Sequence, residues 1–287
     1  MRKLILLLWS ISLVLGACRS GAGVDPEAEA LPAEPITEVV ESEASPTSSA
    51  NETAAELVDV GKALLDDDEC EAALEPLQQA IELDPTSTNA RLILGNAYAR
   101  TAQTAMAIAT YSAAIELDRD FAAAYSNLGA AHLRQADDTQ ALQAAIEAFQ
   151  TAIDLEPDNA ENRANMGSAL LQSSQIPQAK EAYAESLRLD PALAEAHVGL
   201  GYVFLIQGQA AEALPYFEQA SSLDPEMPEA LFALGIAFLE TNQIAEATAA
   251  LERFLAIEIP AGCKGDQGLA EGAREQAQAL LAGLQSQ

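Results

Sequence analysis

A block of thirty-four residues, Ala194 to Met227, recurs along this chain with its small and large apolar residues in register. The block reads as two short amphipathic helices. The first carries Leu200, Gly201 and Phe204, the second Ala213, Phe217 and Ala220, and Pro225 closes the unit. One period earlier stand Met166, Gly167, Leu170, Ala179, Tyr183 and Pro191; one period later stand Leu234, Gly235, Phe238, Ala247 and Leu251, with the proline displaced by one to Pro260. Apolar residues at helical spacing give each helix one sticky stripe. A unit this short cannot bury two such stripes by itself. It must stack on copies of itself, so the period demands a one-dimensional array rather than a globule.

The copies run 54–87, 88–121, 122–159, 160–193, 194–227 and 228–261. The first has Val60, Gly61, Leu64, Ala73, Leu77 and Pro85; the second has Leu94, Gly95, Tyr98, Ala107 and Tyr111, with Arg119 where the closing proline belongs. That turn is expected to be less rigid. The third copy is four residues longer, with the surplus around Ala136 to Ala144. Four residues are slightly more than a helical turn, so an extra turn at the start of its second helix is expected. Glycine recurs at Gly61, Gly95, Gly129, Gly167, Gly201 and Gly235. Mid-helix glycine is unfavourable, and its recurrence is read as close approach of neighbouring helix backbones. After the sixth copy, Gly262 to Gly265 breaks the pattern, and Leu269, Ala273, Ala277, Leu280, Leu281 and Leu284 form one face of a final helix that covers the end of the array.

These Gly, Ala, aromatic and Pro markers at this period resemble the tetratricopeptide repeat family. The resemblance implies an all-α, right-handed α-solenoid of six helix pairs with a C-terminal capping helix (262–287). It also implies a concave face lined by the first helices, on which extended peptide segments bind. Abundant alanine and leucine agree with an all-helical chain.

Outside the array the character changes. Arg2 and Lys3 precede an apolar core, Leu4 to Leu15, too short to span a bilayer comfortably. Leu15-Gly16-Ala17-Cys18 follows and resembles a bacterial lipobox, so 1–17 is read as a signal peptide and Cys18 as the lipid attachment site. Arg19 is not the aspartate associated with inner-membrane retention. The expected location is outside the cytoplasm and lipid-anchored, on an outer membrane facing the periplasm in a two-membrane cell, otherwise on the outer face of the cell membrane. Residues 18–53 hold four prolines and, from Asp25 to Glu52, eight acidic residues without apolar period, which reads as a disordered tether.

Formal net charge is −30, which repels nucleic acid, and no basic patch offsets it. No cofactor, metal or catalytic group is expected. His132 and His197 occupy helix-packing positions of their copies, and Asp66-Asp67-Asp68-Glu69 lacks the glycine and distal glutamate of a calcium loop. Cys70 belongs to the first copy and Cys263 follows the sixth. Helices stack about 8–10 Å apart and a disulfide tolerates Cα separations of about 7 Å at most, so no intramolecular bridge is expected between them.

The inward positions of the first helices remain. Early copies place Lys62, Asn96, Arg100, Asn127 and Arg134 there; late copies place Val198, Tyr202, Leu205, Phe232, Ile236 and Leu239. Asn96 and Asn127 resemble the asparagines of the carboxylate-clamp subfamily, but Leu92, Glu161 and Asn165 stand where its basic residues belong. The late positions suggest anchors for an amphipathic partner segment. Tyr202 and Phe232 are expected to be among these anchors. The expected function is a membrane-anchored, non-catalytic scaffold for a protein or peptide. The alternatives are a pilotin-like assembly factor for a type IV pilus or secretin, which is an architectural resemblance, or a carboxylate-dependent enzyme subunit.

Overall fold

The computed structural model describes residues 48–135, 138–257 and 267–285. Those residues form six helix pairs and a final helix: α1 (Ser48–Asp66) with α2 (Cys70–Leu83), α3 (Thr88–Arg100) with α4 (Thr104–Leu117), α5 (Ala122–Leu133) with α6 (Thr139–Leu155), α7 (Ala160–Gln172) with α8 (Ile176–Leu189), α9 (Ala194–Ile206) with α10 (Ala210–Leu223), α11 (Pro228–Glu240) with α12 (Ile244–Ala256), and α13 (Gln267–Gln285). Each helix packs on its sequence neighbours, and successive first helices also touch, which is the contact pattern of a solenoid. The first helix begins at Ser48, six residues before the first copy of the repeat. The signal segment 1–17, Cys18 and most of the tether lie outside the described residues.

Two backbone devices make the repeat. The first is the turn inside each pair. In five of the six pairs one residue there is left-handed: Asp68, Ala102, Ser174, Gly208 and Asn242, with φ from 60° to 76°. The amide that follows reaches back to close the helix end, as Gln103 N does to Tyr98 O at 2.9 Å and Gln243 N to Phe238 O at 2.8 Å. This is the Schellman arrangement, and glycine is its natural occupant. Only Gly208 among the five is glycine, so the other four accept some backbone strain. The second device closes four of the copies. Asp84, Asp190 and Asp224, each followed by proline, accept through Oδ1 from the backbone N–H two residues on, at 2.9 to 3.1 Å. Asp118 does the same to Asp120 at 3.0 Å although Arg119 replaces the proline. The aspartate holds the turn; the proline stiffens it.

α6 has 17 residues where α4 has 14, so the surplus of the third copy does lengthen the second helix at its start. Asp138 caps it, accepting from Gln140 N at 2.8 Å.

The recurrent glycines have a different cause from the one expected. A Cβ on Gly129 would lie 2.8 Å from the Phe149 ring, and one on Gly201 2.5 Å from that of Phe217. Gly61 and Gly235 face Leu77 and Leu251 in the same way, and Gly95 faces Tyr111. What crowds each glycine is the large side chain of its own second helix, not a neighbouring backbone. Gly and aromatic form one lock within each pair, and the lock residues Leu77, Tyr111, Phe149, Tyr183, Phe217 and Leu251 are the buried centre of each copy.

Cys70, wholly buried at the start of α2, is disulfide-bonded. This corrects the expectation of an unbridged chain; the partner lies outside the described residues. Cys18 and Cys263 both sit outside the pairs, so the stack does not set their distance from Cys70.

α13 packs on α12. Ala273, Ala277 and Leu281 are buried, and Arg274 donates to the carbonyls of Leu255 at 2.6 Å and Ile257 at 3.0 Å. Those carbonyls end α12 and carry its negative pole, which the guanidinium satisfies.

The inward face of the first helices

In the early copies the inward side chains are bound to the protein itself. Tyr111 Oη donates to Asn96 Oδ1 at 2.7 Å, and Asn127 Nδ2 donates to the same oxygen at 2.8 Å. Asn96 and Asn127 are thus brought together, as the sequence reading required, but with each other as partners. Burial pushes the Tyr111 hydroxyl far above its ordinary range, partly offset by the charge of Arg134, so it keeps its proton and can donate to Asn96. Arg100 donates to Leu65 O and pairs with Asp68, both at 2.5 Å. Arg134 donates to Ala99 O, also at 2.5 Å. Each of these arginines binds a carbonyl at the end of the preceding first helix, one repeat away. They brace adjacent copies, which corrects their reading as free groove charges. Lys62 remains exposed on α1.

The late copies differ. Val198, Tyr202, Phe232 and Ile236 are between 0 and 4 % exposed and belong to one core cluster with Leu205. Tyr202 meets Phe217 edge-on at 5.3 Å, and Phe232 meets Phe254 at the same distance. Their expected role as exposed anchors is corrected: in this state they are packed. Helical spacing places them inward but does not show what the inward side meets. The reachable apolar side chains at that rim are Leu239, half-buried, and Ile206, 36 % exposed.

Sequence reasoning missed two clusters nearby. Tyr183 is wedged between Gly167 of its own pair and Gly199 of the next, its hydroxyl 2.9 Å from Ser168 Oγ. Burial drives that hydroxyl well above its ordinary range. The doubled glycine in α9 was the available signal. The second cluster is a column across α8, α9 and α10. Lys180 Nζ lies 4.5 Å over the Phe204 ring, which stacks on Tyr216 at 5.3 Å, with His197 beside Tyr216 and bonded to Pro191 O at 2.9 Å. His132 keeps the packing slot expected of it; desolvation lowers its pKa and its Nδ1 has no hydrogen-bond partner.

Asp66, Asp67, Asp68 and Glu69 stand exposed at the α1–α2 turn, and Asp68 is held by Arg100. No group of three or more His, Cys, Asp or Glu among the described residues is placed to hold a metal ion. A shallow open cavity of about 160 Å³ between α1 and the α2–α3 turn is lined by Asn51, Asp59, Asp84, Ser87 and Asn89 and small apolar residues. No helix among the described residues is long and apolar enough to cross a membrane.

A stack of helix pairs, each locked by glycine against a large second-helix side chain, defines a class of helical repeat protein. Family models describe it directly. Tetratricopeptide repeat models match residues 59–118 and 165–220, and 204–258, and a TPR repeat model matches 103–135. The chain belongs to the tetratricopeptide repeat family. Among solved structures it is similar to Pseudomonas aeruginosa pilF, at 20 % identity and TM-score 0.61, over 81 % of this chain and 99 % of that one. It is also similar to a MamA protein, at 26 % identity and TM-score 0.50, over 61 % of this chain and 93 % of that one. The APC/C Cut9–Hcn1 structure gives TM-score 0.63 at 19 % identity, over 79 % of this chain and 43 % of that one. No curated protein matches this sequence.

Proposed function

We propose that the chain is a non-catalytic scaffold that binds a protein or peptide along the inward side of its first helices, held outside the cytoplasm by a lipid on Cys18. One observation carries the binding reading. The family's array is present, and its inward side runs from the polar Asn96–Asn127 pair in the early copies to a rim in α9 and α11 whose reachable side chains, Ile206 and Leu239, are apolar. Such a gradient orients an extended ligand, polar at one end and apolar at the other. Charge sets the ligand's sign. Arg91, Arg100, Arg134, Arg163, Arg253 and Arg274 all donate to backbone carbonyls of the chain itself. With these cations committed, a chain of net charge −30 favours a basic partner. The likeness to pilF is one of fold and transfers no role, and no observation favours the enzyme-subunit reading.

The reading is tested by photo-crosslinking residues placed at Leu239 and Ile206 on the inward rim and at Leu117 on the second helix α4, in cells of the source organism. A discrete product at the first two positions and none at Leu117 is expected. Equal products at all three, or none at any, overturns it. Lipid attachment is tested separately by acyl labelling of Cys18→Ala, which should lose the label.

A further inference from the structure

Three helix ends in this chain take a guanidinium from one of its own arginines. Arg100 donates through Nη1 to Leu65 O at the end of α1 and through Nη2 to Asp68 Oδ1, both at 2.5 Å. Arg134 donates to Ala99 O at the end of α3, and Arg274 to Leu255 O and Ile257 O at the end of α12. The first two share a register, the arginine standing 35 residues after the carbonyl it reaches. Carried along the repeat, that register pairs Leu171 O with Ile206 and Leu205 O with Glu240. α11 packs on α9 as α3 does on α1 and α5 on α3, so the positions correspond in space as well as in sequence. Leu171 O and Leu205 O accept from backbone N–H groups of their own turns, Ser174 and Gly208, both at 3.0 Å. Among the described residues no side chain donates to either. At the end of α9 a carboxylate stands where the bracing cation belongs.

We infer that the end of α9, Leu205 O together with the Glu240 carboxylate, binds an arginine side chain of a protein partner in the place that Arg100 fills at the end of α1. The inference rests on the reading of the inward rim as the binding side and names the group recognised there. Arg100 shows what such an end selects. Its planar fork reaches a carbonyl with one nitrogen and a carboxylate with the other, a match that a lysine ammonium does not make. The α9 end offers the same two acceptors. Its carboxylate comes from α11 instead of from the turn, where Gly208 replaces Asp68. Glu240 is exposed, and among the described residues no hydrogen bond or ion pair holds it. Its charge adds to the negative pole of α9, so what the site lacks is a cation. Ile206, 36 % exposed, and the half-buried Leu239 offer apolar surface to the stem of an incoming arginine. At the end of α7 the same register holds Ile206, which brings no charge, so the cation subsite is confined to α9. The partner segment is therefore apolar around one arginine.

The experiment uses the full 287-residue chain and two fluorescein-labelled peptides, Ala-Leu-Ala-Arg-Ala-Leu-Ala and its counterpart with citrulline for arginine, which keeps the shape and removes the charge. Fluorescence anisotropy is read at about 0.15 M salt, where distant surface charges are screened. The parent is expected to bind the arginine peptide about tenfold more tightly than the citrulline peptide. That preference should vanish in Glu240→Gln and in Glu240→Arg. It should persist in Glu116→Gln, which removes the same charge from an exposed position on α4. Thermal unfolding gives a second measurement that needs no peptide. Glu240→Arg puts a guanidinium in the register of Arg100, so it should melt above Glu240→Gln by more than Glu116→Arg melts above Glu116→Gln. Equal binding of the two peptides overturns the inference, as does binding of neither. So does a preference that survives Glu240→Gln or falls equally in Glu116→Gln, or a melting gain no larger at Glu240 than at Glu116. Crosslinking at Ile206 and Leu239 reads partner contact whatever its charge. A partner captured there, with equal binding of the two peptides, leaves the scaffold reading standing and removes this one.

Discussion

Gly167 and Tyr183 form a lock across one helix pair: a Cβ on the glycine would lie 2.9 Å from the tyrosine ring. Gly199 of the next pair faces the same ring from the other side. Gly167→Ala and Gly199→Ala should each destabilise the protein by about 1–3 kcal/mol through overpacking. Because both displace one ring, the double variant should lose less than the sum of the two. Chemical denaturation of the four proteins measures this; strict additivity would show that the ring is not the shared obstacle.

The turn inside each pair makes a prediction of opposite sign. Ala102 holds φ at 62° and Gly208 at 76°. Ala102→Gly relieves the strained cap and should stabilise by about 0.5–1 kcal/mol, while Gly208→Ala should cost about 1 kcal/mol. Nothing lies within 4 Å of a Cβ on Gly208, so crowding does not confound the second measurement. Equal melting temperatures for Gly208→Ala and the parent would remove the backbone explanation.

Arg100 and Arg134 brace neighbouring copies through helix-end carbonyls. Replacing either with methionine, which keeps much of the stem packing, should cost about 1 kcal/mol or more of stability, since a carbonyl loses a charge-assisted bond. The Arg100–Asp68 pair is partly exposed, with side chains 29 % and 45 % exposed, so its own share is small and fades with salt. If unfolding is unchanged in both variants and only partner binding falls at low salt, the arginines serve the groove after all.

His132 gives the array a pH dependence with a definite sign. Desolvation lowers its pKa below that of the unfolded chain, ordinarily about 6.5. Between the two values the unfolded state holds more protons, so this contribution to stability rises with pH and is lost as pH falls from 6.5 toward the folded pKa. His132→Phe restores the residue type of the Phe204 slot and removes the titration. The stability of the variant relative to the parent should increase between pH 7 and pH 5. A gap constant with pH would show that the imidazole is not desolvated enough to matter.

Cys18 and Cys70 make separable predictions. A thioether-linked Cys18 has no thiol to give Cys70, so Cys18→Ala should lose acyl label and membrane retention while Cys70 stays disulfide-bonded in non-reducing peptide maps. Loss of the Cys70 bridge in Cys18→Ala, with membrane retention intact, would reverse both assignments.

What the sequence determined by itself is what depends on local spacing. The thirty-four-residue period, the six pairs, the lengthened α6 and the apolar face of α13 follow from side chains three, four and seven residues apart, because a helix presents those together. The prolines that close five of the six copies are equally local. Tertiary structure alone decided what stands across from each face. That Tyr183 fills the space over two glycines, that Arg134 reaches a carbonyl 35 residues back, and that Tyr202 and Phe232 are packed rather than open are contacts between separate helices. Helical periodicity gives a side chain its direction, but burial depends on which distant segment arrives there, and one turn of phase carries no record of that.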